Sequence, residues 1–123
     1  MEIYPSINIY GKELDTCCNN PNTGFFRNGM CDTCNEDFGV HTVCILATKE
    51  FLKFSMSVGN DLSTPHPEFE FPGIKPGDRW CLCALRWQEA YNQDMAPPIF
   101  LESSHEKTLE LVDINLLQKF GVN

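Results

Sequence analysis

Apolar and polar positions along this chain alternate with a period of two in two places and recur at helical spacing in three. The alternation is sharpest at Arg79–Ala84, where an extended strand puts Trp80, Leu82 and Ala84 on one face and Cys81 and Cys83 on the other. Both faces are apolar, which predicts an interior strand covered above and below. Pro76-Gly77-Asp78 leads into it as a turn, because proline presets φ, glycine accepts positive φ and the aspartate bonds nearby amides. Arg86 to Gln93 then reads as a helix with Trp87, Ala90 and Tyr91 inward, stopped by Ala96-Pro97-Pro98.

Upstream, Val40 to Leu46 alternates as a strand, with His41, Val43 and Ile45 on one face and Thr42, Cys44 and Leu46 on the other. Thr48 caps a helix that runs to about Val58, with Phe51, Leu52 and Val58 on its apolar side and Gly59 as its left-handed stop. A weak alternation at Ile7–Tyr10 suggests a short edge strand. Ile99–Glu102 reads as a third strand, Ser103 or Ser104 as the cap of a short helix through His105, and Leu109–Val112 as a further strand. Asp113 caps a last helix, Ile114 to Phe120, ending at Gly121.

Two stretches resist regular structure. Asp15 to Gly39 is rich in Asn, Asp, Thr and Gly and carries four cysteines, with Phe25 and Phe26 as anchors to the core. A loop of that length inside a compact domain is functional or tied down. Asn60 to Asp78 holds four prolines, and its Phe69 and Phe71 are placed to pack the loop onto the body. Short strands between long loops favour an α+β fold: a single domain over residues 1–123, with a small mixed sheet covered by helices and long cysteine-bearing loops.

Charge narrows the partners. Nine Lys and Arg against seventeen Asp and Glu give a net charge of -8. Such a field disfavours nucleic acid and anionic lipid, so no nucleic-acid and no membrane partner is expected. Neither a signal peptide nor a membrane span is read from the sequence, which points to the cytoplasm. There the seven cysteines are expected to be thiols, metal ligands or reactive groups and not a disulfide framework.

Three chemistries compete. The first is a soft-ligand metal site, with zinc as the candidate ion, drawn from His41, Cys44, Cys81 and Cys83; Cys31-x-x-Cys34 is an incomplete knuckle. The second is thiol chemistry by Cys17, Cys18 or Cys31 with His41 as base. The third is a cleft for a small polar or anionic ligand, using Arg27, Arg79 and Arg86, whose planar forks match carboxylate or phosphate. Asp61, Trp87 and His105 complete the ligand-binding candidates. Against all three stands a purely structural or partner-binding module with core cysteines. Glycine-rich phosphate loops and the common hydrolase and metalloprotease motifs do not occur.

Several strings occur together in order: Cys17-Cys18, Pro21-x-Thr23-Gly24-Phe25-x-Arg27-x-Gly29, Asp37-x-Gly39-x-His41-Thr-Val-Cys44, Gly59-Asn-Asp-Leu-Ser-Thr-Pro65, Phe71-Pro-Gly73, Pro76-Gly-Asp-Arg-Trp-Cys-Leu-Cys-Ala84 and Arg86-Trp87-x-Glu-Ala90. In these strings the chain resembles the family called domain of unknown function 2237, from about Ile9 to Leu117. The resemblance implies a small bacterial-type protein and supplies no catalytic assignment. The family pattern has a Gly-Pro pair where this chain has Cys34-Asn35. That moves attention from Cys34 to Cys31, His41, Cys44, Cys81 and Cys83, with Cys17 and Cys18.

Overall fold

The computed structural model describes residues 2–122. Four strands form one sheet in the order β2-β1-β3-β4: β1 is His41–Leu46, β2 Arg79–Cys83, β3 Ile99–Phe100 and β4 Gly121–Val122. β1 pairs antiparallel with β2 and β3, and β3 pairs parallel with β4, so the sheet is mixed. Three helices accompany it, α1 (Lys49–Ser57), α2 (Ala84–Asn92) and α3 (Ile114–Lys119), an α+β arrangement. Among the described residues no helix is long and apolar enough to cross a membrane.

The helices begin where short polar side chains stop the backbone. Thr48 accepts from the amide of Phe51, and Asp113 accepts from that of Asn115, each satisfying a first-turn donor that lacks a partner within the helix. α1 ends at Val58, and Gly59 follows at φ +87°, as its left-handed stop requires. The core gathers on one face of the sheet: Val43, Ile45, Trp80 and Leu82 meet Phe51, Trp87, Ala90 and Leu117. Trp87 is fully buried, stacks on Tyr91, meets Phe120 edge-on and donates its indole N–H to Pro97 O at 3.1 Å.

Several expectations change. Ile7–Tyr10 makes only isolated bridges, Ile7 to Glu13 and Asn8 to His105. Leu109–Val112 is no strand; a 3-10 turn over Glu106–Glu110, capped by His105, takes its place. The fourth strand is instead Gly121–Val122, whose two residues carry too little pattern to read. Of the two loop phenylalanines, Phe71 is buried against Trp80 and Phe69 is exposed. β2 is an edge strand and not an interior one. The 15–39 loop covers its free edge, with Thr23 Oγ1 accepting from the Cys81 amide at 2.8 Å. Loop cover and sheet pairing both hide apolar side chains, which is why two apolar faces gave no warning of an edge.

Candidate functional site

The disulfide framework judged unlikely from the sequence is present in part. Cys17 bonds Cys44 and Cys31 bonds Cys81, while Cys18, Cys34 and Cys83 are free thiols. Cys44 and Cys81 are cross-strand partners, so the two bridges stand side by side on the face of the sheet opposite the core, and each bolts the 15–39 loop to a different strand. The sulfurs of Cys17, Cys31 and Cys81 lie within 4.8 Å of one another, all buried.

Three sequence assignments change as a result. Cys17 and Cys31 have no free thiol to act as nucleophiles. The zinc set His41, Cys44, Cys81 and Cys83 loses two of its four sulfur and nitrogen donors to disulfides, which leaves His41 and Cys83. Cysteine spacing alone could not reveal this, because the pairing depends on which strand lies beside which.

Between the bolted loop and the edge of β2 lies a cavity of about 380 Å³. The loop contributes Gly24, Phe25 and Arg27; β1 contributes His41; β2 contributes Trp80 to Cys83; Asn60, Leu62 and Arg86 close the far side. Two arginines and a histidine line this space, and among the described residues no carboxylate does. Arg27, held at φ +54°, puts its guanidinium 5.1 Å from the centre of the Trp80 ring. Arg86 donates to Val58 O at 3.3 Å and to Glu89 at 3.2 Å, an ion pair at the surface.

His41 is turned by two backbone features. The register of β1 slips between His41 and Val43, so Thr42 is the extra residue of a bulge and His41 stands opposite Cys83. The strand therefore departs from simple alternation: His41 leaves the face of Val43 and Ile45 for the cysteine face. Val40, just before it, sits at φ +49°, a conformation that strains a β-branched residue. The ring is then fixed from three sides. Its Nδ1 lies 2.7 Å from Asp37 Oδ1, Phe25 stacks on it at 6.5 Å between centroids, and Gly39 leaves room where a Cβ would meet the ring at 2.5 Å.

Asp37 is itself buried and accepts from Thr33 Oγ1 and from the His41 amide, both at 3.0 Å. A carboxylate at Nδ1 selects the tautomer with its proton there, leaving the Nε2 lone pair free. Nε2 makes no hydrogen bond among the described residues. Sequence reading missed Asp37, although the Asp37-x-Gly39-x-His41 string held the signal: an acid four residues before a histidine with a glycine between.

The remaining candidates fall elsewhere. Cys18 is half-buried in the loop and does not line the cavity. Asp61 caps its own turn, accepting from the amides of Ser63 and Thr64, and lines a neighbouring hollow with His66 and Phe71. Arg79 lies 3.8 Å over the Phe100 ring, beside a separate hollow with Asp15 and Glu102. Trp87 belongs to the core. His105 is fully buried, accepting from the Lys107 amide at Nδ1 and donating from Nε2 to Pro5 O, so it is a structural histidine. Burial holds its pKa below the ordinary value.

No curated protein matches the sequence. A family profile described as an uncharacterised protein conserved in bacteria matches residues 7–121, nearly the whole chain. The chain therefore belongs to the family called domain of unknown function 2237.

Proposed function

We propose that the cleft between the 15–39 loop and β2 binds a small molecule carrying an anionic group. One observation carries the reading: in a protein of net charge -8, the cavity is lined by Arg27, Arg86 and His41 and, among the described residues, by no acid. An anion entering it meets two planar guanidinium forks and loses little to repulsion. Trp80 and Phe25 supply flat apolar walls for the body of the ligand. The Arg86–Glu89 pair is no obstacle, since an exposed ion pair is worth about 0–1 kcal/mol and yields to a better partner. The volume suits a molecule at the small end of ordinary ligand sites, which begin at about 300 Å³.

A small ligand is favoured over a bound metal because Cys44 and Cys81 spend their sulfurs on disulfides. Both bridges are buried away from thiol reductants, so the ligand-binding reading requires no particular compartment. The test is thermal unfolding of the whole chain against a panel of small carboxylates and phosphate monoesters, with Arg27→Gln and Arg86→Gln alongside. A ligand at a hundred times its Kd adds about 2.7 kcal/mol to the native protein, and this gain should shrink in both variants. A panel that stabilises native and variant proteins alike, or neither, refutes the reading.

A further inference from the structure

We propose that Cys83 is a nucleophile of this cleft, that His41 takes its proton, and that Asp37 is the residue that positions His41. The substrate class is a small anionic molecule with an electrophilic carbon, so the proposal rests on the anion-binding reading above.

Cys83 is a free thiol and lines the same cavity as His41, Arg27 and Arg86. His41 and Cys83 are partners across β1 and β2 at the bulge, and both line the same cavity. Nε2 and the thiol make no hydrogen bond to each other among the described residues, so the step requires the pair to draw together once substrate enters, as catalytic contacts commonly do. The pairing is produced by the bulge at Thr42; regular alternation would have left His41 on the core face. The Nδ1 end of the ring is occupied by buried Asp37 at 2.7 Å, so the free nitrogen is Nε2. A thiol, an imidazole and a buried carboxylate thus follow one another in the order that activates a cysteine.

The surroundings suit an anionic substrate, since Arg27 and Arg86 line the same space as the thiol. Cys83 also stands at the N-cap of α2 and its side chain makes no capping bond, so the sulfur is not occupied there. In the step proposed, the Cys83 sulfur forms a bond to the electrophilic carbon and the bond from that carbon to its leaving group breaks. The leaving group departs with the electron pair, and the thiol proton passes to His41 Nε2. No oxidant or reductant takes part.

Two alkylating probes of similar size test this: iodoacetate, which is anionic, and iodoacetamide, which is neutral. Each forms a sulfur–carbon bond and releases iodide. Labelling of the native chain is followed site by site by mass spectrometry, with Cys18, a free thiol outside the cavity, as the internal reference. The expected result is that Cys83 reacts first, and that its iodoacetate-to-iodoacetamide rate ratio exceeds that of Cys18 by about tenfold, the effect of roughly one charge-assisted contact. His41→Gln should slow Cys83 about a hundredfold with both reagents, the low end of general-base effects. Arg27→Gln and Arg86→Gln should slow iodoacetate more than iodoacetamide, bringing the charge ratio at Cys83 down toward that of Cys18.

Asp37 is read separately, by the nitrogen chemical shifts of the His41 ring. Native protein should show the Nδ1–H tautomer, and Asp37→Asn should shift it toward Nε2–H and slow both reagents together. Gly39→Ala keeps all three groups and displaces the ring, and should slow both reagents too. If Cys83 reacts no faster than Cys18 with either reagent, the nucleophile is refuted while a high charge ratio still supports anion binding. If Cys83 is fast but its charge ratio equals that of Cys18, the anionic substrate is refuted together with the binding reading, and the thiol–imidazole pair stands.

Discussion

Removing either disulfide measures how firmly the cleft's loop is held. Cys17→Ala with Cys44→Ala opens a loop of 27 residues, and Cys31→Ala with Cys81→Ala opens one of 50. Loop-closure entropy makes the first bridge worth about 3.6 kcal/mol and the second about 4.1 kcal/mol. Lost packing of the buried sulfurs adds to both. With about 2.1 cal/mol/K of unfolding entropy per residue, a 123-residue chain loses about 14 °C of Tm for 3.6 kcal/mol. Both loops contain residues 31–44, so removing both bridges costs less than the two values added.

Urea unfolding followed by tryptophan fluorescence is a suitable assay, because Trp80 and Trp87 are both buried. Each double variant should show a lower free energy and a larger m, since a chain without the cross-link exposes more surface when unfolded. Thiol titration of the unreduced, denatured native protein should return the three free cysteines, and all seven after reduction. A loss below about 1 kcal/mol in both variants, or seven thiols without reduction, would refute the account of how the loop is fastened.

Two further outcomes follow from buried groups and backbone geometry. His105 has its pKa held down by burial, so the unfolded chain binds a proton there that the folded chain does not; its stability contribution is complete above the ordinary histidine value and is lost as pH falls, at up to about 1.4 kcal/mol per pH unit. Urea midpoints from pH 7.5 down to about 5.5 should show that slope, and His105→Gln should flatten it; an unchanged slope in the variant would exclude His105 as its source. Gly24→Ala forces a side chain into φ +99° and against the Met30 carbonyl, at a cost of about 1–3 kcal/mol. It should also weaken the iodoacetate preference at Cys83 by displacing Arg27; full stability and full preference would show that the turn at Gly24 does not set the cleft.

The helices and the two long strands were legible because local signals agreed. Thr48 and Asp113 are caps in the sequence and caps in the structure, and Gly59 is the stop it was read to be. A cleft between the loop and the Cys81-x-Cys83 strand was also expected, and a cavity lies there with Arg27, Arg86 and His41 in its lining. What escaped was everything decided by register. A single extra residue at Thr42 moves His41 across the sheet, and period-two counting has no means of seeing one bulge. The disulfides escaped for a related reason: Cys44 and Cys81 become neighbours only once β1 and β2 are paired. Cys83 was grouped with Cys81 as a metal ligand on shared strand parity. The parity is right, yet one sulfur is bridged and the other free.

The order of the bridges along the chain has one more consequence. Counted from the amino terminus the four bridged cysteines pair first with third and second with fourth, Cys17 to Cys44 and Cys31 to Cys81. The closed loops overlap instead of following one another, so every peptide bond from Cys17 to Cys81 is spanned by at least one bridge. A protease that nicks the cleft loop at Arg27 leaves two pieces still joined through Cys17–Cys44, and a cut near His66 leaves them joined through Cys31–Cys81. Nicked protein would keep its native mass in a denaturing gel run without reductant and separate only after reduction. The same overlap holds a cleft built on an irregular loop together after a cut between residues 31 and 44, which would separate the chain if the two bridges followed one another along it.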